Sequence, residues 1–345
     1  EFRRVLFRSP YEFLVLDFEH HNPDRALPFM GEVRQVLDPA RPTTAGRWNG
    51  NRWSRWEFMR LPGETREQME DEANCWKLLA PWGIGRDDGR IIRRSVYRFE
   101  SRIAERWRQG DIFLAGDAAH TMPPFMAQGM CSGLRDVTNL CWKLDAVLRG
   151  RAGAALLDTY DRERKPHVAA ITEMAMEVGR AVTVTDPEAA RLRDAALKRG
   201  EGMRPHAMPH VVEGFIQQDD RGGKGLLAGR LAPQARAHRG GRTAFLDDLT
   251  GSGCRIVSRH PLPAATRERF ASLLRERDVT LVHVTRGCLD DSYLDIDAEY
   301  ASWFEQNGVL AFVQRPDFQI FGAARDMAGL DDVLASLERQ WHSLR

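Results

Sequence analysis

The stretch Asp111–Leu148 concentrates the residue types that could hold a ligand. Gly116-Asp117 closes a short apolar run, Ile112-Phe113-Leu114-Ala115, which reads as a buried strand. Ala118-Ala119-His120, Pro123-Pro124 and Gly129-Met130-Cys131-Ser132-Gly133 follow. Such a loop leaves backbone N–H groups unpaired, and the next helix start adds its dipole. Strand, loop and helix thus suit an anionic or electron-rich ligand group. The helix is expected from Ser132, with Leu134, Val137, Leu140, Cys141, Leu144, Val147 and Leu148 on one apolar face. Asp117 is either a ligand group or a turn cap. His120 has no second ligand at metal-like spacing and reads as structural. Gln128 suits a solvated loop as well as a ligand face. Arg135-Asp136 reads as an internal helix pair, with Asp136 at the end the dipole favours.

The elements around this stretch form three groups. Tyr11–Glu19, Glu32–Leu37, Thr43–Trp48, Trp53–Leu61 and Ser95–Phe99 read as strands of an antiparallel sheet. Thr65–Leu79 reads as a helix with Met69, Ala73, Trp76 and Leu79/Ala80 on one face, and Ser101–Arg108 as a second short helix. Beyond the motif, Ala154–Tyr160 and Pro166–Val182 read as helices, with Pro166 at a first helical position. Val168, Ile171, Met174, Val178 and Val182 mark the buried face of the second. The C-terminal region reads as strand Cys254–Val257, helix Ala264–Arg277 and strand Val279–Val284. A hairpin about Arg315-Pro316-Asp317 and a helix Leu330–Leu344 close it, the helix with Leu330, Val333, Leu334, Leu337 and Trp341 inward.

The pattern from Gly116 to Gly133 resembles the second FAD-binding motif of the single-component flavoprotein aromatic hydroxylases. Asp38-Pro39-Ala40-Arg41-Pro42-Thr43-Thr44, Arg55-Trp56-Glu57-Phe58-Met59, Leu61-Pro62-Gly63-Glu64 and Leu78-Leu79-Ala80-Pro81-Trp82-Gly83 are similar to the 3-(3-hydroxyphenyl)propionate hydroxylase branch. So are Asp158-Thr159-Tyr160 and Glu163-Arg164-Lys165-Pro166-His167, which match the helix that usually follows the motif. The resemblance implies an α/β (mixed α+β) chain: the C-terminal part of a Rossmann-like FAD-binding domain with an antiparallel substrate sheet. The C-terminal region resembles the thioredoxin-like domain appended to phenol-type hydroxylases, without its Cys-x-x-Cys. Packing or homo-oligomerisation is the role left to it.

The implied cofactor is FAD, with NADH or NADPH as cosubstrate. Cofactor contacts are expected at Gly116, Asp117, Pro124, Gly129, Met130 and Cys131, with Asp117 on the ribityl chain and the Met130–Cys131 backbone at the pyrimidine edge. Trp56, Phe58, Tyr97 and Pro124 are candidate substrate contacts; strand aromatics are also ordinary core residues. The implied reaction, in aromatic-compound catabolism, delivers an oxygen atom from O2, through a flavin hydroperoxide, ortho to a phenol hydroxyl. A 3-(3-hydroxyphenyl)propanoate-like acid is the expected substrate, and no proton-transfer residue stands out. A tailoring hydroxylase of a larger polycyclic phenol is the first alternative, although Trp53, Trp56 and Phe58 favour a small ring. A non-catalytic fragment is the second, because no N-terminal Gly-x-Gly-x-x-Gly is present to hold the FAD pyrophosphate.

Composition excludes other classes. A net charge of +1 over 345 residues makes no case for nucleic acid or membrane binding. No apolar run approaches the roughly 18 residues of a membrane span. Five cysteines without a Cys-x-x-Cys pair, Cys75, Cys131, Cys141, Cys254 and Cys288, fit a reduced cytoplasmic protein without a metal site. The expected layout is 1–10 as a foreign scar outside the fold, 11–100 as substrate sheet, 101–183 as FAD-binding region, 184–221 as connector and 222–345 as thioredoxin-like domain. The sequence thus reads as beginning partway through a hydroxylase.

Overall fold

The computed structural model describes residues 4–24, 33–49, 51–201, 207–218, 223–287 and 291–344. Cys288 and Glu32, the first residue of the expected strand Glu32–Leu37, lie outside the described residues, as does position 222. The chain divides into two compact units. The first is Glu1–Glu105, Asp117–Cys131 and Ile171–Ala207; the second is Arg106–Gly116, Ser132–Ala170 and Met208–Arg345. The expected boundaries at 100, 183 and 221 are sequential, whereas these units interleave along the chain. The motif itself is shared between them.

The first unit opens with β1 (Arg4–His20), β2 (Arg34–Val36), β3 (Thr43–Trp48) and β4 (Trp53–Met59), then α1 (Arg66–Glu70), α2 (Glu72–Leu79) and β5 (Gly89–Ala104). Further along the chain, across both units, come β6 (Arg108–Gln109), β7 (Ile112–Phe113), β8 (His120–Thr121), α3 (Gly129–Leu148), α4 (Ala155–Val182) and α5 (Pro187–Lys198). Six strands form an antiparallel sheet in the order β2-β3-β4-β1-β5-β8. Register sets Leu14 opposite Phe58 and Leu16 opposite Trp56, so one face is mainly apolar. Met69, Cys75 and Leu79 of α1 and α2 close that face. Each large side chain buried there contributes about 1.5–3 kcal/mol.

Three expectations change here. The single helix Thr65–Leu79 is two, because Asp71 leaves the helical conformation (φ −62, ψ 132) and its side chain caps Asn74 N at 3.1 Å. Ser101–Arg108 is not a helix: β5 continues to Ala104, paired with β1 on one side and β8 on the other. The backbone of Arg4–Pro10, expected to stand outside the fold, belongs to β1 and pairs from Arg4↔Ala104 to Arg8↔Glu100.

In the second unit β6 and β7 make a small hairpin. Then follow β9 (Arg236–Arg239), β10 (Arg242–Phe245), α6 (Leu246–Thr250), β11 (Arg255–Ser258), α7 (Ala264–Arg269) and α8 (Ala271–Glu276). The series ends with β12 (Thr280–Thr285), β13 (Tyr293–Asp295), α9 (Glu299–Asn307), β14 (Ala311–Gln314), β15 (Ile320–Ala324) and α10 (Met327–Ser343). The sheet order is β10-β9-β13-β12-β11-β14-β15, with β11 parallel to β12 and antiparallel to β14. The expected strands, hairpin and terminal helix are present, but the expected helix Ala264–Arg277 is two, because Phe270 between them leaves the helical conformation (φ −103, ψ 19). Leu330, Val333, Leu334, Leu337 and Trp341 are all buried. Strands β9, β10 and β13 were not legible, being three or four residues long and partly polar.

Pro166 does not start a helix; it lies inside α4. It removes one intrahelical hydrogen bond, and the buried Tyr160 and Val168 on either side hold the helix through it. Among the described residues, no helix is long and apolar enough to cross a membrane, and no cluster of His, Cys, Asp and Glu is placed to hold a metal.

Candidate functional site

In the first unit, the second face of the sheet carries an aromatic anchor for the motif loop. Phe13 stacks on Phe99 at 5.2 Å between ring centroids, and Phe125 meets them edge-on at 6.1 and 6.0 Å. Phe125 belongs to the Pro124–Met126 turn of the motif. A Cβ at Gly179 would stand 2.4 Å from its ring, so glycine is required there for the loop to seat. Gln35 Nε2 donates to Phe125 O at 3.4 Å. Pro124, beside the anchor, is exposed, as is Asp117. The Asp117 carboxylate has no hydrogen-bond partner among the described residues. Gly129, Met130 and Cys131 open α3, with Met130 77% exposed. His120 is buried, with its backbone opposite Ile103 in β8.

Polar groups share that second face. Glu57 lies opposite Val15, and Arg55 opposite Asp17. Arg55 grips Asp17 through two hydrogen bonds of 2.6 and 3.0 Å. Burial raises the pKa of Glu57, against the pull of Arg55. Tyr97 is 37% exposed, with the Arg93 guanidinium 5.0 Å over its ring. Trp56 and Phe58 are both buried in the cluster under α1 and α2. Period-two alternation places Glu57, between them, on the opposite face; that signal was present in the sequence and was missed. The family-like segments about Arg41 and Glu64 are joined by a two-pronged ion pair, both arms 2.7 Å, which lowers the pKa of Glu64.

The second unit holds the glycine end of the motif. Gly116 has φ +58, and a Cβ on Gly133 would lie 3.2 Å from Gly116 Cα, so strand end and helix approach through two glycines. Gly116 N–H donates to Asp136 Oδ2 at 3.0 Å, and Arg164 Nε donates to Asp136 Oδ1 at 2.9 Å. Asp136 is fully buried and forms an ion pair with Arg164 of α4. The run before Gly116 is not a buried strand: β7 is two residues long and Ile112 is 62% exposed.

Helix α3 also differs. Leu134, Val137, Cys141 and Leu148 of the apolar stripe are exposed, whereas Ser132, Asp136, Asn139, Lys143 and Ala146 are buried. The polar side faces inward because it enters a charge network. Lys143 Nζ lies 2.9 Å from Glu163 Oε2, and Arg315 reaches Glu163 and Asp317 at 2.6 and 2.5 Å. Asn139 Nδ2 donates to Glu163 and Asp317 at 2.7 and 2.8 Å, and its Oδ1 accepts from Lys143 at 2.8 Å. The network therefore balances two cations against two carboxylates. Gly214 is required beside it (φ +99), since a Cβ there would lie 2.3 Å from the Glu163 side chain.

Burial lowers the Lys143 pKa to about 8, although Glu163 pulls it up. Between pH 8 and the ordinary lysine value of 10.5, the unfolded chain holds a proton that the fold has released. Stability from this group therefore climbs with pH across that window and is lost as pH falls through 8. Lys143→Met should flatten that slope; equal slopes in urea titrations of the two proteins would refute the assignment.

Residues 15–175 match the family described as FAD binding domain, and residues 229–340 match the HcaD C-terminal domain. The chain carries the FAD binding domain and is similar to aromatic hydroxylases. It is 35% identical over 328 residues, 92% of its length, to a probable NADH-specific resorcinol 4-hydroxylase of Rhodococcus jostii. Over 291 residues, 78% of its length, it is 36% identical to a 3-(3-hydroxy-phenyl)propionate/3-hydroxycinnamic acid hydroxylase of Mycolicibacterium smegmatis. The chain spans 58% and 52% of the lengths of these two relatives. The fold is similar to aklavinone-11 hydroxylase solved with FAD and aklavinone, with a TM-score of 0.75 at 21% identity, covering 97% of this chain and 64% of that one. Another solved flavin-dependent monooxygenase, PieE, aligns with a TM-score of 0.74 at 24% identity, over 98% of this chain and 67% of that one.

Proposed function

We propose that the protein works in an FAD- and NADH-dependent monooxygenase that hydroxylates a phenolic aromatic acid ortho to its hydroxyl. The Gly116–Gly133 motif, inside the matched FAD binding domain, carries this reading. The two hydroxylase relatives support a small phenol, and the Rhodococcus relative supports NADH. FAD, when bound, supplies the redox and oxygen chemistry.

The chain's own residues supply binding and proton control. The exposed Asp117 carboxylate, an acceptor without a partner among the described residues, suits sugar-like hydroxyls. Backbone N–H groups at Gly129–Cys131, in the first turn of α3, suit a negatively charged ring edge. Pro124 lies exposed on a turn that Phe125 anchors, and so can bear on a ring without shifting. Glu57, whose pKa burial raises, is the sheet-face carboxylate suited to exchange a proton with a phenol. Since Trp56 and Phe58 are core residues, their bulk does not set the substrate's size. The preference for a small ring rests on the relatives alone.

The chain mixed with FAD should stay yellow through gel filtration, and should oxidise NADH when 3-(3-hydroxyphenyl)propanoate or resorcinol is added. Asp117→Ala should weaken FAD retention by about tenfold, the scale of one lost hydrogen-bonding group. Equal flavin content in both proteins would remove Asp117 from the site. A colourless chain that oxidises no NADH would favour the non-catalytic reading.

A further inference from the structure

Arg255 begins β11, an interior strand of the C-terminal sheet, and is 2% exposed. A buried guanidinium is ordinarily matched by a carboxylate, because an unpaired buried charge costs several kcal/mol. Among the described residues Arg255 makes no ion pair. One arm donates to Gly251 O, and its Nε has no partner. Burial depresses its pKa, with Asp247 opposing through space.

The side chain lines a recess of ≈ 140 Å³, together with its cross-strand partner Gln314. The remaining wall is mainly apolar: Leu231, Pro233, Tyr300 and Phe318. The neighbouring polar groups are otherwise engaged. Gln234 Nε2 donates to both Asp247 oxygens at 3.0 Å, and Tyr300 Oη donates to Pro233 O at 3.2 Å. Phe318 holds φ +64, a costly conformation for an aromatic residue and one that concentrates at ligand sites.

We propose that this recess binds a small monocarboxylate with an apolar body, its carboxylate seated on Arg255. The volume is close to the roughly 150 Å³ that accepts a benzene ring. A guanidinium with a free N–H matches a carboxylate oxygen. A divalent phosphate would bring a second negative charge toward Asp247 and leave the apolar wall unused. The site lies wholly in the second unit and does not rest on the hydroxylase reading.

Sodium benzoate, benzyl alcohol and sodium phosphate are the probes, each added to the whole chain at constant ionic strength. Benzoate should raise the melting temperature with concentration and show saturable heat in calorimetry; the other two should not. Arg255→Met should weaken benzoate binding at least tenfold. Should that variant fail to fold, Leu231→Trp decides: it fills the recess from an exposed rim position and should abolish benzoate binding with Arg255 intact. No benzoate heat from the natural chain would overturn the proposal. So would undiminished binding by the variants, or an equal response to benzyl alcohol or phosphate.

Discussion

Methionine in place of Arg315 is expected to lower the stability of the second unit by about 3–5 kcal/mol, the cost of breaking a buried ion pair from one side. Arg315 is 1% exposed and is the hub of its network. It donates to Glu163 at 3.1 and 2.6 Å, to Asp317 at 2.9 and 2.5 Å, and to Phe215 O at 2.7 Å. Burial works against the Glu163 carboxylate, but the Arg315 and Lys143 charges overcome it and hold its pKa well below the usual range. Without Arg315, the two buried carboxylates keep one cation, Lys143, beside the Asn139 amide and the Phe215 N–H. The readout is the urea midpoint at unchanged slope. Adding Glu163→Gln to the variant should recover part of the loss, because one uncompensated charge is removed. A loss under about 1 kcal/mol would place the pair among weak surface bridges and refute the role.

Asp136→Ala should cost a similar amount, about 3–5 kcal/mol, for a different reason. It leaves Arg164 buried without its carboxylate and Gly116 N–H without its acceptor. Asp136→Asn separates the two effects. The amide oxygen still accepts from Gly116, so hydrogen exchange there should stay slow, while the charge lost opposite Arg164 still destabilises. Exchange at Gly116 unchanged in the alanine variant would mean that Asp136 does not hold the Gly-Asp turn.

Much of this architecture could be read locally. The inward stripe of α10 and the hairpin about Arg315-Pro316-Asp317 follow from hydrophobic period and turn chemistry, which depend on near neighbours. The sheet β1–β5 was legible from its aromatic and β-branched runs, apart from the end of β5. There the charged Arg102 and Glu105 imitate a solvated helix, while pairing to β1 and β8 makes Arg102 part of a strand. Trp56 and Phe58 were correctly placed in a strand, but which layer they face was not legible, since strand aromatics serve a core or a pocket equally well until the opposing layer is known.

The motif shows the limit most clearly. Residue order from Gly116 to Gly133 was enough to point to the FAD binding domain that the chain matches, because a glycine turn, an acidic residue and a helix start need only chain-local geometry. It did not reveal which side of α3 is buried. That side is set by Glu163 and Asp317, which Asn139 meets from 24 and 178 positions away in the chain. Nor did it reveal that Asp136 answers to Arg164, or that Arg255 lies buried beside a recess. Long-range charge pairing leaves no period in a sequence, and it chose the inward face of this helix over its apolar stripe.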